Sequence, residues 1–163
     1  MKIVVNDANI LIDLISIDLI NAFLKLDFEF HTNDLIINEV REHQQLLIEI
    51  IESNKLIVSE TKAENFTDII ALMTKNLSFE DCSIWYYTKK VRGILLTGDS
   101  KLRKSVENDH IEVRGILFVF DMLVENRIIT EIKAIEKLNE LMAINNRLPR
   151  QEIHKRLLLW KAK

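Results

Sequence analysis

Short apolar runs alternate along this chain with segments in which apolar residues recur every three or four positions. Brief apolar runs bounded by polar residues are typical of buried strands, and the periodic segments are typical of helices. The runs predict strands at 2–5, 27–31, 55–58, 94–97 and 111–113. The periodic segments predict helices over 8–25 with a break near Ser16, over 35–40, 46–51 and 66–73, from Ser78, up to Asn108, after Gly115, from Thr130 and from Pro149.

Two of these strands are followed by an aspartate and then directly by a helix. The run 3–5 leads into Asp7, and the run 94–96 leads into Asp99. Strands that alternate with helices through short connections predict a parallel sheet with helices on both faces. Both aspartates would then lie at the carboxyl edge of the sheet, where open α/β folds bind their ligands.

Length and composition indicate one ordinary globular domain spanning 1–163, with 130–163 as a C-terminal helical extension packed on it. The net charge of −3 argues against broad electrostatic capture of nucleic acid, although a local basic face stays open. The single Cys82 excludes an internal disulfide. No signal peptide and no membrane-spanning run are visible, so we expect a cytoplasmic protein.

Four acids stand where strands end or helices begin, and a fifth adjoins one of them. Each has a simple structural explanation, because Asp or Glu at these positions caps a helix or is favoured by the helix dipole, and 78–81 (SFED) has the pattern of a capping box. Capping does not require that all of the helix starts gather at one edge of a sheet, whereas a metal site does. The candidate acids are Asp7, Glu39, Asp81 and Asp99, with Glu80 as an alternative to Asp81.

Crowded carboxylates repel one another and raise each other's pKa unless a cation neutralises them. Carboxylate ligands without Cys or His suit Mg²⁺ or Mn²⁺, and the four histidines are not spaced as metal ligands. Such an ion lowers the pKa of a bound water and stabilises charge on a phosphodiester. The polar residues Asn9, Thr97 and Ser100 are candidates to support the carboxylates.

Five segments carry a resemblance to a known family. They are 7–12 (DANILI), 35–40 (LIINEV), 77–84 (LSFEDCSI), 95–104 (LLTGDSKLRK) and 113–116 (VRGI). In this order and spacing the chain resembles the PIN-domain family, and within it the VapC-like toxin nucleases of prokaryotic toxin–antitoxin pairs. The resemblance implies a three-layer α/β/α sandwich with a small, mostly parallel sheet, and metal-dependent cleavage of RNA. Its acids carry over as Asp7, Glu39, Asp81 and Asp99, with Asn9 and Thr97 as supports.

Two departures from the family pattern concern the metal site. Many members have Ser or Thr after the first aspartate, where this chain has Ala8. Some carry a further acid two residues after the fourth, where this chain has Lys101. The second departure argues against a second metal ion. Together they keep open an alternative function, a weakened module that binds RNA or a protein without cleaving RNA.

Basic and aromatic residues near the last strands suggest how RNA is held. We expect six cations to lie near the crevice, although a solvated helix face explains them equally well. They are Lys89, Lys90, Arg92, Lys101, Arg103 and Lys104. Stacking of bases on 85–87 (WYY) is a further hypothesis, with the core as the simpler place for most of these rings.

Two further interpretations concern partners and a different chemistry. The apolar helix around 46–51 suggests a groove for an antitoxin helix or a homodimer contact. Phosphoryl transfer through an aspartyl-phosphate is disfavoured. A covalent phosphatase would need an acid at Asn9, and a receiver domain would need one at Ser59.

Overall fold

The computed structural model describes residues 1–74 and 76–162 and contains one five-stranded sheet. All four strand pairings are parallel, and the strand order is β3-β2-β1-β4-β5. The strands are β1 (Lys2–Asn6), β2 (Phe28–Asn33), β3 (Ile57–Ser59), β4 (Ile94–Leu96) and β5 (Val113–Arg114). All five predicted strands are present, and a sheet predicted to be mostly parallel is entirely so.

Ten α-helices connect and flank the strands in the described residues. They are α1 (Ala8–Ser16), α2 (Ile20–Phe23), α3 (Asp34–Glu39), α4 (Gln44–Glu52), α5 (Phe66–Ala71), α6 (Phe79–Val91), α7 (Ser100–Asn108), α8 (Ile116–Glu125), α9 (Glu131–Ile144) and α10 (Arg150–Lys161). The predicted break near Ser16 separates α1 from α2. Pro149 lies one residue before α10 and not at its first position, which corrects the predicted start.

The core lies on both sides of the central strands. Val4 and Val5 of β1 and Leu95 and Leu96 of β4 are fully buried. Burial of successive residues, which point to opposite faces, requires cover on both faces. Helix α6 contacts β1, β2 and β4, and α5 and α7 pack beside it; a second series of contacts joins α2, α8, α9 and α10.

The last two helices are tied to earlier parts of the chain by polar contacts. Asn145 donates to Asp13 of α1 at 3.0 Å, and Arg156 of α10 donates to both carboxylate oxygens of Asp121 at 2.8 and 2.6 Å. The assignment of 1–163 to one domain stays a prediction. None of the helices described is both long and apolar enough to span a lipid bilayer.

Candidate active site

Asp7 follows β1 at the centre of the carboxyl edge and is only 4% exposed. One carboxylate oxygen accepts from the Ala8 backbone N–H at 2.8 Å, which caps α1. The other accepts from Asn9 Nδ2 at 2.9 Å and from Thr97 Oγ1 at 2.6 Å. These three donors fix the direction of a charged group that burial would otherwise penalise.

Asn9 and Thr97 also connect Asp7 to the turn that follows β4. Thr97 Oγ1 accepts from the Asp99 backbone N–H at 3.0 Å, and Asn9 Oδ1 accepts from the Gly98 N–H at 2.8 Å. A Cβ on Gly98 would lie 3.2 Å from that Asn9 oxygen, so glycine permits the close approach. Two of the three residues expected to support carboxylates, Asn9 and Thr97, therefore make the contacts that such a role requires.

Asp99 is half-buried at the start of α7. Its Oδ1 accepts from the backbone N–H groups of Lys101 and Leu102 at 2.9 and 2.8 Å, so it is a helix cap. Asp99 is linked to Asp7 by the Thr97 hydroxyl, which accepts from the Asp99 backbone N–H and donates to the Asp7 carboxylate. Ser100 is exposed beside it as the first residue of α7.

The remaining acids come from the end of α3 and the start of α6. Glu39 is the last residue of α3, and Glu80 and Asp81 lie in the first turn of α6. Asp81 Oδ2 accepts from the Ser78 N–H at 2.9 Å while Ser78 Oγ accepts from the Asp81 N–H at 3.0 Å. Asp81 is thus the acid of the predicted capping box as well as a site candidate.

Two residues that the sequence analysis did not select hold these helices together. Asn33 caps α3 by accepting from the Ile36 N–H at 2.9 Å, and its amide donates to Ser83 Oγ at 2.9 Å. Ser83 in turn donates to the Glu80 carbonyl at 2.7 Å. The bond between Asn33 and Ser83 sets the start of α3 against the start of α6. Asn is a residue type typical of helix starts, but nothing in the sequence indicates that Asn33 pairs with Ser83.

The charges at this edge reinforce one another. Partial burial raises the pKa of Glu39 to about 7, and the carboxylates of Asp7, Glu80 and Asp81 add to the shift. Burial also raises the pKa of Asp7, and the nearby charge of Asp81 adds to this, although the donors from Thr97, Ala8 and Asn9 oppose it. The structure therefore brings Asp7, Glu39, Glu80 and Asp81 within electrostatic reach of one another.

Oxygen donors that raise each other's pKa have the chemistry that suits a hard divalent cation. Asp7, Glu39 and Asp81, with Glu80 beside them, are the side chains available to hold one. Asp99 is joined to them only by the bond from its backbone N–H to Thr97. As they stand, no three His, Cys, Asp or Glu side chains within 1–74 and 76–162 are grouped closely enough to enclose an ion. The donor types fit a divalent ion, and the arrangement is an open one.

The six predicted cations do not share one location. Lys89 and Arg92 line a cavity at the starts of β1 and β4, so both lie at the amino edge, opposite the acids. Lys89 is paired there with Asp109. Lys90 lies beside the ends of β2 and β3. Lys101 and Lys104 are exposed on α7, and Arg103 donates to the carbonyls of Val113 and Thr97. The expectation that all six lie near the crevice is wrong for Lys89 and Arg92.

The aromatic residues and one histidine are also committed to internal contacts. Trp85 is buried and donates to Asp109 at 3.1 Å, and Tyr86 donates to Asn65 at 2.9 Å. The Tyr87 hydroxyl lies 2.7 Å from His31 Nδ1, and His31 Nε2 lies 2.6 Å from Glu29. These contacts do not favour base stacking on 85–87, and the buried His31 lies between Tyr87 and Glu29.

Comparison with known proteins places this geometry in a family. A family model described as DUF3368: PIN domain matches residues 3–162. The chain belongs to the PIN-domain family. PIN domains are generally metal-dependent nucleases, and the resemblance drawn from the motifs is confirmed at this level.

A solved PIN-type structure agrees with the fold. The chain is similar to a PilT N-terminus domain protein, SSO1118, from the hyperthermophilic archaeon Sulfolobus solfataricus P2, with a TM-score of 0.53 and 11% sequence identity. The match covers 76% of this chain and 95% of that one, and it confirms the predicted α/β/α fold. No curated protein matches the sequence.

Proposed function

We propose that this PIN domain is an endoribonuclease that hydrolyses RNA phosphodiester bonds with Mg²⁺ or Mn²⁺. One observation carries the proposal: at the carboxyl edge, partial burial together with the nearby carboxylates of Asp7, Glu80 and Asp81 raises the pKa of Glu39 to about 7. Such an arrangement costs free energy unless a cation is bound. RNA, a polyanion, would bring its phosphate to that cation.

In this proposal the residues either bind the ion or orient a residue that binds it. Asp7, Glu39, Asp81 and Asp99 hold the ion, which when bound lowers the pKa of a water and stabilises charge on the phosphodiester. Thr97 and Asn9 keep the Asp7 carboxylate oriented through bonds of 2.6 and 2.9 Å. Because Asp81 also caps α6, Glu80 is the nearest replacement should Asp81 remain in its cap.

Cleavage of a single-stranded RNA by the purified chain tests the proposal. We expect products in Mg²⁺ or Mn²⁺ and none in EDTA. Replacing even an outer-shell partner of a metal costs about 10- to 100-fold, so Asp7→Asn and Asp99→Asn should each lose at least about 100-fold. Asp27→Asn is the matched control, because Asp27 is an exposed aspartate at the amino edge, just before β2. Cleavage that survives EDTA, or the Asp7→Asn change, contradicts the assignment.

The finer proposal is that the protein acts in the cytoplasm as the toxin of a toxin–antitoxin pair. The VapC-like order of the motifs supports it, and the antitoxin would be a small protein that blocks the site. Expression of the wild type should arrest growth, and expression of Asp7→Asn at equal level should not. If the wild type and Asp7→Asn both arrest growth, the arrest does not depend on Asp7, and the toxin role proposed here is contradicted.

A second function is RNA or protein binding without cleavage. The engagement of Asp81 in its cap and the exposed Lys101 in place of an acid favour it. RNA that shifts on a gel but stays intact in each metal would support this alternative and contradict the nuclease.

A further inference from the structure

A groove of about 600 Å³ opens beside Asp99, on the side of the acids that faces β5. Thr97, Gly98 and Asp99 line its near end, and residues 113–118 line its floor. The connection between α9 and α10, at residues 145–149, forms the far wall. A volume of this size lies within the roughly 300–1,000 Å³ that pockets for small ligands occupy.

The charge of the groove contrasts with that of the acidic edge. Its lining holds four arginines against the acids Asp13, Asp99 and Glu152, and three of the arginines, Arg103, Arg114 and Arg156, are each paired with an acid. Among the residues that the structure describes, Arg147 is exposed and takes part in no ion pair. An anionic chain that leaves the acids in this direction therefore meets positive charge.

The remaining lining suits the other parts of a nucleotide. The Arg114 guanidinium lies 5.5 Å from the centre of the Phe118 ring and is about half exposed, so it offers a flat cationic face. RNA bases stack on such guanidinium planes. The half-buried Leu148 contributes apolar surface to the same groove. A site for an inorganic anion alone has no use for these flat and apolar surfaces.

The far wall is held in place relative to the acids. Asn145 donates to Asp13, and Asp13 belongs to α1, the helix that Asp7 caps. The Arg147 backbone N–H donates to Asn145 Oδ1 at 3.0 Å, so the segment that carries Arg147 is fixed by the same residue. The groove is thus a built extension of the site and not a gap between loosely joined parts.

We propose that this groove receives the part of a single-stranded RNA that flanks the scissile phosphate on one side. Arg147 contacts a backbone phosphate, and a base packs against Arg114 and the apolar wall. The proposal rests on the proposed function for the identity of RNA as the substrate. It assigns the C-terminal helical extension a role in holding that substrate.

Binding of a short fluorescent single-stranded RNA in EDTA tests the groove without requiring cleavage. Arg147→Ala should weaken binding several-fold. It should also make the negative slope of log K against log salt concentration less steep by about 0.7, the share of one phosphate contact on a single strand. Arg150→Ala is the matched control, since Arg150 is an exposed arginine three residues along that does not line the groove. We expect it to bind like the wild type, and unfolding midpoints will verify that both variants are folded.

The outcomes separate this proposal from the nuclease proposal. RNA binding that depends on Arg147, without cleavage in any metal, supports the groove and overturns the nuclease. Cleavage together with unchanged binding by Arg147→Ala overturns the groove alone. Equal losses in the two arginine variants, as general electrostatics would give, also overturn it, as does a wild type that fails to bind RNA. A groove built for a peptide partner would leave RNA binding by Arg147→Ala unchanged.

Discussion

The pKa of an acid is shifted in opposite directions at the two edges of the sheet. At the amino edge, Lys89 donates to both oxygens of Asp109 at 3.0 and 2.8 Å, and this hydrogen-bonded cation lowers the pKa of that carboxyl. At the carboxyl edge, partial burial and three neighbouring carboxylates raise the pKa of Glu39 to about 7. Both acids lie at the C-terminal end of a helix, so this position alone does not decide the direction of the pKa shift.

The difference shows which group of acids lacks a balancing positive charge from the protein. The charge of Asp109 is balanced by the protein itself, and nothing further is needed for stability. Hydrogen bonds from Thr97 and Asn9 orient the Asp7 carboxylate and fix its position without cancelling its repulsion by the neighbouring acids. A cluster that is held in place and left unbalanced is the arrangement expected of a cation site.

The largest effect we expect in this comparison is that of Thr97→Val. The change removes the hydroxyl that donates to Asp7 and accepts from the Asp99 N–H. Loss of such an orienting contact should lower metal-dependent RNA cleavage by about 10- to 100-fold. It should also lower the free energy of unfolding by about 1–3 kcal/mol, because a buried carboxylate loses a donor. Cleavage rates and denaturant titrations measure the two quantities.

Thr88→Val is the matched control for that change. Thr88 is fully buried in α6, and its hydroxyl donates to the Ile84 carbonyl of its own helix. We expect normal cleavage and a stability change within about 1 kcal/mol. Equal losses of activity in the two valine variants would mean that packing, and not the orientation of Asp7, limits the reaction.

A smaller effect is a dependence of stability on pH that a metal removes. The ordinary pKa of Glu39 is 4.5 and the folded pKa is about 7, so between these values the folded protein binds more protons than the unfolded chain. Stability in EDTA should therefore fall as the pH rises from about 4.5 to about 7 and level off above that. The raised pKa of Asp7 acts in the same direction.

Thermal unfolding in EDTA and in Mg²⁺ across this range measures the effect. Glu39→Gln should flatten the EDTA curve, and Mg²⁺ should raise the midpoint of the wild type more at pH 8 than at pH 5. Asp27→Gln is a suitable control, because Asp27 is exposed at the other edge. A wild-type curve that rises with pH over this interval would contradict the assigned charge cluster.

The sequence was informative wherever the structure depends on neighbours along the chain. The apolar runs located β1 and β4, and their parallel pairing brings Asp7 to Thr97 without further information. The capping box at Ser78 was read from four consecutive residues. Contacts that depend on the packing of a helix, such as that between Asn33 and Ser83, have no signature in either segment.

The wrong prediction for Lys89 and Arg92 has a simple geometric reason. Lys89 and Arg92 are close in sequence to β4, and this proximity suggested that they lie near the acids. Helix α6 has 13 residues and is therefore about 20 Å long at a rise of 1.5 Å per residue. Its first turn carries Glu80 and Asp81 at the carboxyl edge, so its last turn must lie near the amino edge. The direction of a helix across the sheet decides which of its charges can reach a ligand.

The smallest effect follows from that geometry. The double change Lys89→Gln and Arg92→Gln removes two positive charges from the amino edge and the ion pair with Asp109. An exposed pair contributes about 0–1 kcal/mol, so stability should change little. RNA affinity and cleavage should stay close to those of the wild type. Lys101→Gln with Lys104→Gln, on α7 beside Asp99, removes the same charge at the carboxyl edge and should weaken RNA binding more. If the amino-edge variant lost more affinity, the RNA path would have to cross the far side of the sheet.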